Sequence, residues 1–226
     1  SWVLFIKSIV LPGGIEELVI NGCKISEVIL SHLIDKTVMA STYRLGIAGI
    51  DLTVKKAQVV ADWIMSPDSK CVGVDIAFND LSQGQLTPFI KAFSKGNLKL
   101  LFLSLNSTNL SDVSEFTEFL SALTKMSGLR FLDLSSLPQL FPMVISKLNK
   151  FLPLMKDLRR IHFDLNELNS LSISAIADII PKVSTLHHVS FIGNRDLNRS
   201  AIATLYAAAK TSKSLFALEL DYDLVP

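Results

Sequence analysis

The sequence predicts an α/β solenoid, an arc with a parallel β-sheet on its concave face and helices on its convex face. Three observations predict it. An apolar pattern at offsets 0, 3 and 5, followed by a turn, recurs from first positions Ile15, Thr42, Cys71, Leu100, Leu129, Leu158, Leu186 and Leu215, with steps of 27, 29, 29, 29, 29, 28 and 29 residues. After most copies the apolar spacing changes from two to a helical period. The chain is 49% apolar and only 19% charged, which suits a stack in which strand and helix of each unit both bury one side.

The elements follow in order. Residues 1–12 read as a helix with Trp2, Phe5, Ile6, Ile9 and Val10 on one face, stopped by Pro12-Gly13-Gly14. We take residues 1–14 as a partial repeat or a cap helix, and 15–226 as one repeat domain of about eight units with the last truncated. In each unit a strand is expected over offsets 2–6, then a turn holding Asn or a substitute. The helices expected on the outer face are 26–39, 54–65, 85–93, 112–125, 140–152, 173–183 and 199–209. The first should turn Val28, Ile29, Leu33 and Ile34 inward, and the second Val59, Val60, Trp63 and Ile64. Asp112 and Asn198 are N-capping types. Pro88 and Pro142 fall near helix starts, whereas Pro181 should end or bend its helix. Neither end carries the polar cap that terminal repeats need, and the chain starts with Ser, so a longer parent protein is expected.

The clearest copy, Leu129-Arg-Phe-Leu132-Asp-Leu134-Ser-Ser-Leu137-Pro-Gln-Leu140, and the copies ending in Asn79, Asn166 and Asn194 resemble the leucine-rich repeat, L-x-x-L-x-L-x-x-N/C-x-L. The long helices and the 28–29-residue period are similar to the ribonuclease-inhibitor-like subfamily over essentially the whole chain. That resemblance implies a curved concave face that grips a protein partner, without catalysis. It also implies two alternatives: a GTPase-activating protein resembling the Ran GTPase activators, or a cytoskeletal regulator resembling the CARMIL or tropomodulin families.

Alternation sends offsets 2, 4 and 6 to the concave surface, stacked about 4.8 Å apart from repeat to repeat. Phe102 and Phe131 then become exposed neighbours, followed by Asp133, Arg160, His162, Asp164 and His188. Aromatics beside Arg and His are the composition of a binding hot spot, and these seven residues are the candidate partner site. The alternative is that the Phe pair packs on neighbouring Arg side chains. Gly46, Ala48, Gly73 and Ala77 leave the N-terminal part of the same surface low, fit either for a partner backbone or for plain surface.

Other chemistry is excluded or set aside. The net charge of +1 provides no dense basic surface for nucleic acid. The apolar run from Trp2 to Leu11 is too short to span a bilayer. Cys23 and Cys71 fall on inward positions about two repeats apart, so no disulfide is expected and a reducing, cytoplasmic setting is. No Gly-rich phosphate or dinucleotide loop, nucleophile elbow or zinc-protease helix occurs, so no cofactor is expected. His162, His188, Asp133 and Asp164 should fan outward from a flat sheet, and no metal site is expected. His187 should face the core edge and His32 the surface. Arg160-Ile-His-Phe163 resembles a protein phosphatase-1 docking motif, but its apolar residues occupy inward positions. Asn106-Ser-Thr108 and Asn198-Arg-Ser200 match glycosylation sequons, which are incidental inside a cell.

Overall fold

The third residue of each short strand pattern alternates with its neighbours, which is enough to bury one side and free the other. The computed structural model describes residues 1–9, 14–39, 41–96, 98, 100–194 and 197–221. Its strands are β1 (Glu17–Val19), β2 (Arg44–Gly46), β3 (Gly73–Asp75), β4 (Phe102–Ser104), β5 (Phe131–Asp133), β6 (Arg160–His162), β7 (His188–Ser190) and β8 (Ala217–Glu219). They form one eight-stranded sheet in sequence order, every neighbouring pair parallel. The register follows the repeat: Phe102 lies opposite Phe131, which lies opposite Arg160.

Each strand is shorter than the expected offsets 2–6, yet pairing between repeats continues into the turn. Ile20 N–H donates to Gly46 O at 2.8 Å and Gly22 N–H to Ala48 O at 2.7 Å. Among the described residues, the one seven places after each first position is left-handed: Gly22, Gly49, Phe78, Ser107, Ser136, Leu165 and Gly193, with φ between 54° and 78°. It swings the chain so that the next side chain points into the core. Glycine takes this backbone region without steric cost. At Gly193 a Cβ would also collide with the Leu165 side chain.

The next position carries the turn asparagine. Asn79 is buried; its Oδ1 accepts from the N–H groups of Ile50 (3.0 Å) and Leu52 (3.1 Å), and its Nδ2 donates to Ile47 O (2.9 Å) and Ile76 O (3.0 Å). Asn194 serves the preceding repeat in the same way through Asn166 N, Leu168 N, Phe163 O and Phe191 O. Where the asparagine is missing, other groups satisfy the turn. Ile50 takes its place in the second repeat, and the buried Lys56 Nζ donates to Ile50 O (3.0 Å) and Asp51 O (2.7 Å). Thr108 substitutes in the fourth, donating to Leu105 O at 2.7 Å.

The helices are α1 (Trp2–Ser8), α2 (Glu27–Leu33), α3 (Val54–Met65), α4 (Thr87–Ser94), α5 (Val113–Leu123), α6 (Ile145–Phe151), α7 (Ser170–Ala177) and α8 (Arg199–Thr211). Asp112 caps α5 by accepting from Ser114 N and Glu115 N, and Asn198 caps α8 by accepting from Ala201 N, as their residue types require. Thr53 caps α3 through Lys56 N in the same manner.

Several expectations are corrected. α1 stops at Ser8 with only Ile6 fully buried, and Val10 and Pro12-Gly13 lie outside the described residues. Val28 is 75% exposed, and Leu30, Leu33 and Ile34 form the inward stripe of α2 and the π-turn Ile34–Val38 that extends it. The helix expected over 140–152 begins only at Ile145, leaving Pro142 in the preceding turn. Pro181 sits in a 3₁₀ turn, Ile180–Lys182, after α7 has ended, as a missing N–H dictates. The segment expected as a closing turn beyond Asp221 lies outside the described residues.

Between sheet and helices runs a continuous apolar core. Phe93 packs on Phe119 with ring centroids 5.8 Å apart, and Phe163 stacks on Phe191 at 5.6 Å. Each such side chain contributes about 1.5–3 kcal/mol by leaving water. Ile161 and Phe163 are both 1% exposed, so the phosphatase-like motif at 160–163 belongs to this core. No helix among the described residues is long and apolar enough to cross a membrane.

Candidate functional site

Helices cover one side of the sheet; the other side is free. On that free side the candidate residues from β4 to β7 form a continuous stack. Phe102 and Phe131 face each other with centroids 5.0 Å apart, and both are partly exposed. His162 meets the edge of Phe131 at 4.9 Å, and His188 lies 5.6 Å beyond it. The Arg160 guanidinium sits over the Phe131 ring, 5.3 Å from its centroid, a cation–π geometry. Its Nε donates to His162 Nε2 at 2.7 Å. His162 is thereby held as an acceptor at that nitrogen, and burial, outweighing the attraction of Asp133 and Asp164, pushes its pKa below the usual value. The stack ends at Glu219, whose Oε2 lies 3.0 Å from His188 Nε2.

Phe131 thus carries an Arg side chain, as one of the two alternatives for the Phe pair has it, and the stack still meets solvent. Two candidates differ from expectation. Asp133 is only 9% exposed, and its carboxylate accepts from Ser135 N (3.0 Å) and Ser104 Oγ (3.3 Å). It holds its own turn rather than presenting charge. Asp164 is shared: Oδ1 accepts from Ile192 N at 2.8 Å while Oδ2 lies 3.9 Å from His162 Nδ1. The expectation that the histidines fan apart is corrected too. The stagger between offsets 2 and 4 leans them together, and a donor atom of His162, of His188 and of Glu219 all lie within 4.8 Å of one another. Glu219 was missed from the sequence because its place beside His188 depends on its reach past the small Ser190.

The low N-terminal part of the free face is a cleft of about 310 Å³. Gly46 and Gly73 form its floor, Val19 and Phe102 its apolar walls, and Arg44 and Asp75 its polar rim. A Cβ on Gly73 would stand 3.2 Å from Phe102 Cβ, so a side chain there would narrow the cleft and press on Phe102. Burial, reinforced by repulsion from Asp133, raises the Asp75 pKa above its ordinary value despite the hydrogen bond from Ala77 N. Cys71 is inert: burial pushes its thiol up to about 12. Both cysteines are free. His187 packs against the exposed Phe216, and His32 is exposed on α2.

The profile of the MHP1/HER1/GIP3 LRR domain matches residues 1–194. The chain belongs to that leucine-rich repeat family. It is 36% identical over 239 residues to MAP-homologous protein 1 of Saccharomyces cerevisiae, and 30% identical over 264 residues to HMG2-induced ER-remodeling protein 1 of the same yeast. Each match takes in the whole chain but only 17% and 21% of those relatives. Among solved structures it is similar to the leucine-rich repeat-containing protein LegL7 from Legionella pneumophila, with a TM-score of 0.55, 19% identity, and 97% of this chain and 78% of that one covered. It is also similar to the actin-binding site 2 region of leiomodin-1, with a TM-score of 0.51, 15% identity, and 62% of this chain and 80% of that one covered. At such identities the two structures share the fold alone.

Proposed function

We propose that the chain is a non-catalytic protein-binding module that grips a protein partner on the free face of its sheet. The supporting observation is the unbroken stack of Phe102, Phe131, His162 and His188 across four adjacent strands, flanked by Arg160 and Asp164 and open to solvent. Rigid, partly exposed aromatics beside an arginine lose little side-chain entropy on binding and shed apolar area, the hallmark of interface hot spots. The cleft over Gly46 and Gly73 adjoins Phe102 and is large enough to receive a partner side chain. Asp133 is left out of the contact set because its oxygens are already engaged. Two free thiols support a reducing compartment, the cytoplasm, as its setting in this reading.

The test is capture of binding proteins by the wild type and by the Phe102→Ala/Phe131→Ala double variant in parallel. Both rings are partly exposed and neither anchors the core, so the variant should keep its circular dichroism spectrum. It should lose partner affinity by about 2 kcal/mol or more, roughly thirtyfold. Partners held equally well by a folded double variant would refute the assignment.

A further inference from the structure

We propose that His162, His188 and Glu219 form a binding site for one divalent transition-metal ion of the zinc class. Two imidazoles and one carboxylate are the donor set such ions prefer, with a position left open. The three side chains come from adjacent strands β6, β7 and β8, and one donor atom from each lies within 4.8 Å of the others. The register explains the convergence. His162 pairs with Ser190, and Ser190 with Glu219, so the position between the two longer side chains holds a small residue. His188 stands two residues back on the same strand as Ser190, on the same face.

The hydrogen bonding of the cluster is incomplete. His188 Nε2 lies 3.0 Å from Glu219 Oε2 but lacks the alignment of a hydrogen bond, and neither it nor the buried Ser190 Oγ has a partner among the described residues. A cation between imidazole and carboxylate would take up the His188 Nε2 lone pair and the Glu219 charge together, and leave the Ser190 hydroxyl to the same carboxylate. On the other side, His162 accepts from Arg160 at Nε2 and faces Asp164 from Nδ1. Arg160 is exposed and already has the Phe131 face as an alternative seat, so it can withdraw from the imidazole. An outside donor such as water or free imidazole would complete the shell.

The inference stands apart from partner capture, since its readout is the ion alone. Titration of the purified protein with Zn²⁺ should give one site that raises the melting temperature. Co²⁺ in its place should show the intense visible bands of a low-coordinate centre. His188→Ala and Glu219→Gln should each weaken binding by more than roughly tenfold, at least the loss that removing an outer-shell partner causes. Arg160→Ala, which removes a competing cation from beside His162, should leave binding intact or tighten it. No saturable site in the wild type, or a site indifferent to both His188→Ala and Glu219→Gln, would overturn the proposal. Circular dichroism of each variant excludes unfolding as the cause of a loss.

Discussion

Asn79 shows how much one side chain can hold. Its amide satisfies two backbone N–H groups and two carbonyls across two repeats. Asn79→Ala strands those groups in the core and should cost about 3 kcal/mol, read as a fall in the urea midpoint. Asp75 gives a prediction with a sign. Its folded pKa lies above the unfolded value, so the folded state holds the extra proton between the two. Its contribution to stability therefore declines as pH rises above 3.8 through the raised value. Asp75→Asn keeps an acceptor for Ala77 N and removes the charge. It should be more stable than wild type at neutral pH, with the difference vanishing below pH 3.8. At this scale the sequence was only partly readable. The Asn positions were visible in the repeat, but the buried Lys56 amine that replaces one was not, because nothing in composition separates it from a solvated lysine. Asp133 was misjudged because alternation assigns it a face without counting the shade of its neighbours or the pull of its own turn.

The elements were more readable where a local rule governs them. Asp112 caps α5 because its oxygen reaches two free N–H groups, and Asp112→Ala should cost about 1 kcal/mol, measured by thermal unfolding. Pro181 stops its helix for an equally local reason. Element ends were less readable: α6 starts five residues later than its apolar pattern, and α2 turns Val28 to solvent. A helix chooses its buried stripe by what it packs on, and periodicity alone leaves two stripes open on Val28-Ile29-Leu30. The aromatic stack lies between these cases. The register that aligns Phe102 with Phe131 follows from the period alone, whereas the meeting of Arg160 with His162 depends on side-chain rotamers that no spacing reports.

Across the whole molecule each repeat packs mainly on its two neighbours, so stability is close to a sum of unit and interface terms. A defect should then be felt locally. In the Asn79→Ala variant, amide hydrogen exchange should quicken most over residues 42–110 and least in α8, and a uniform increase along the chain would contradict this picture. The same regularity made the fold readable, since seven consistent copies outvote the worn one at Thr42. The assembled face was less readable because convergence across three strands, as at His162, His188 and Glu219, is a property of no single copy.

The left-handed residue at a fixed place in every turn has an evolutionary corollary. Each unit leaves the sheet in the same direction, so the array is modular at the level of the gene. Excision of residues 100–128, one full unit, brings Leu129 where Leu100 stood and should yield a shorter folded protein. Units of 27, 28 and 29 residues already pair in the same register, so the turns absorb a residue or two. Lineages are thus free to lengthen or trim this array by whole units.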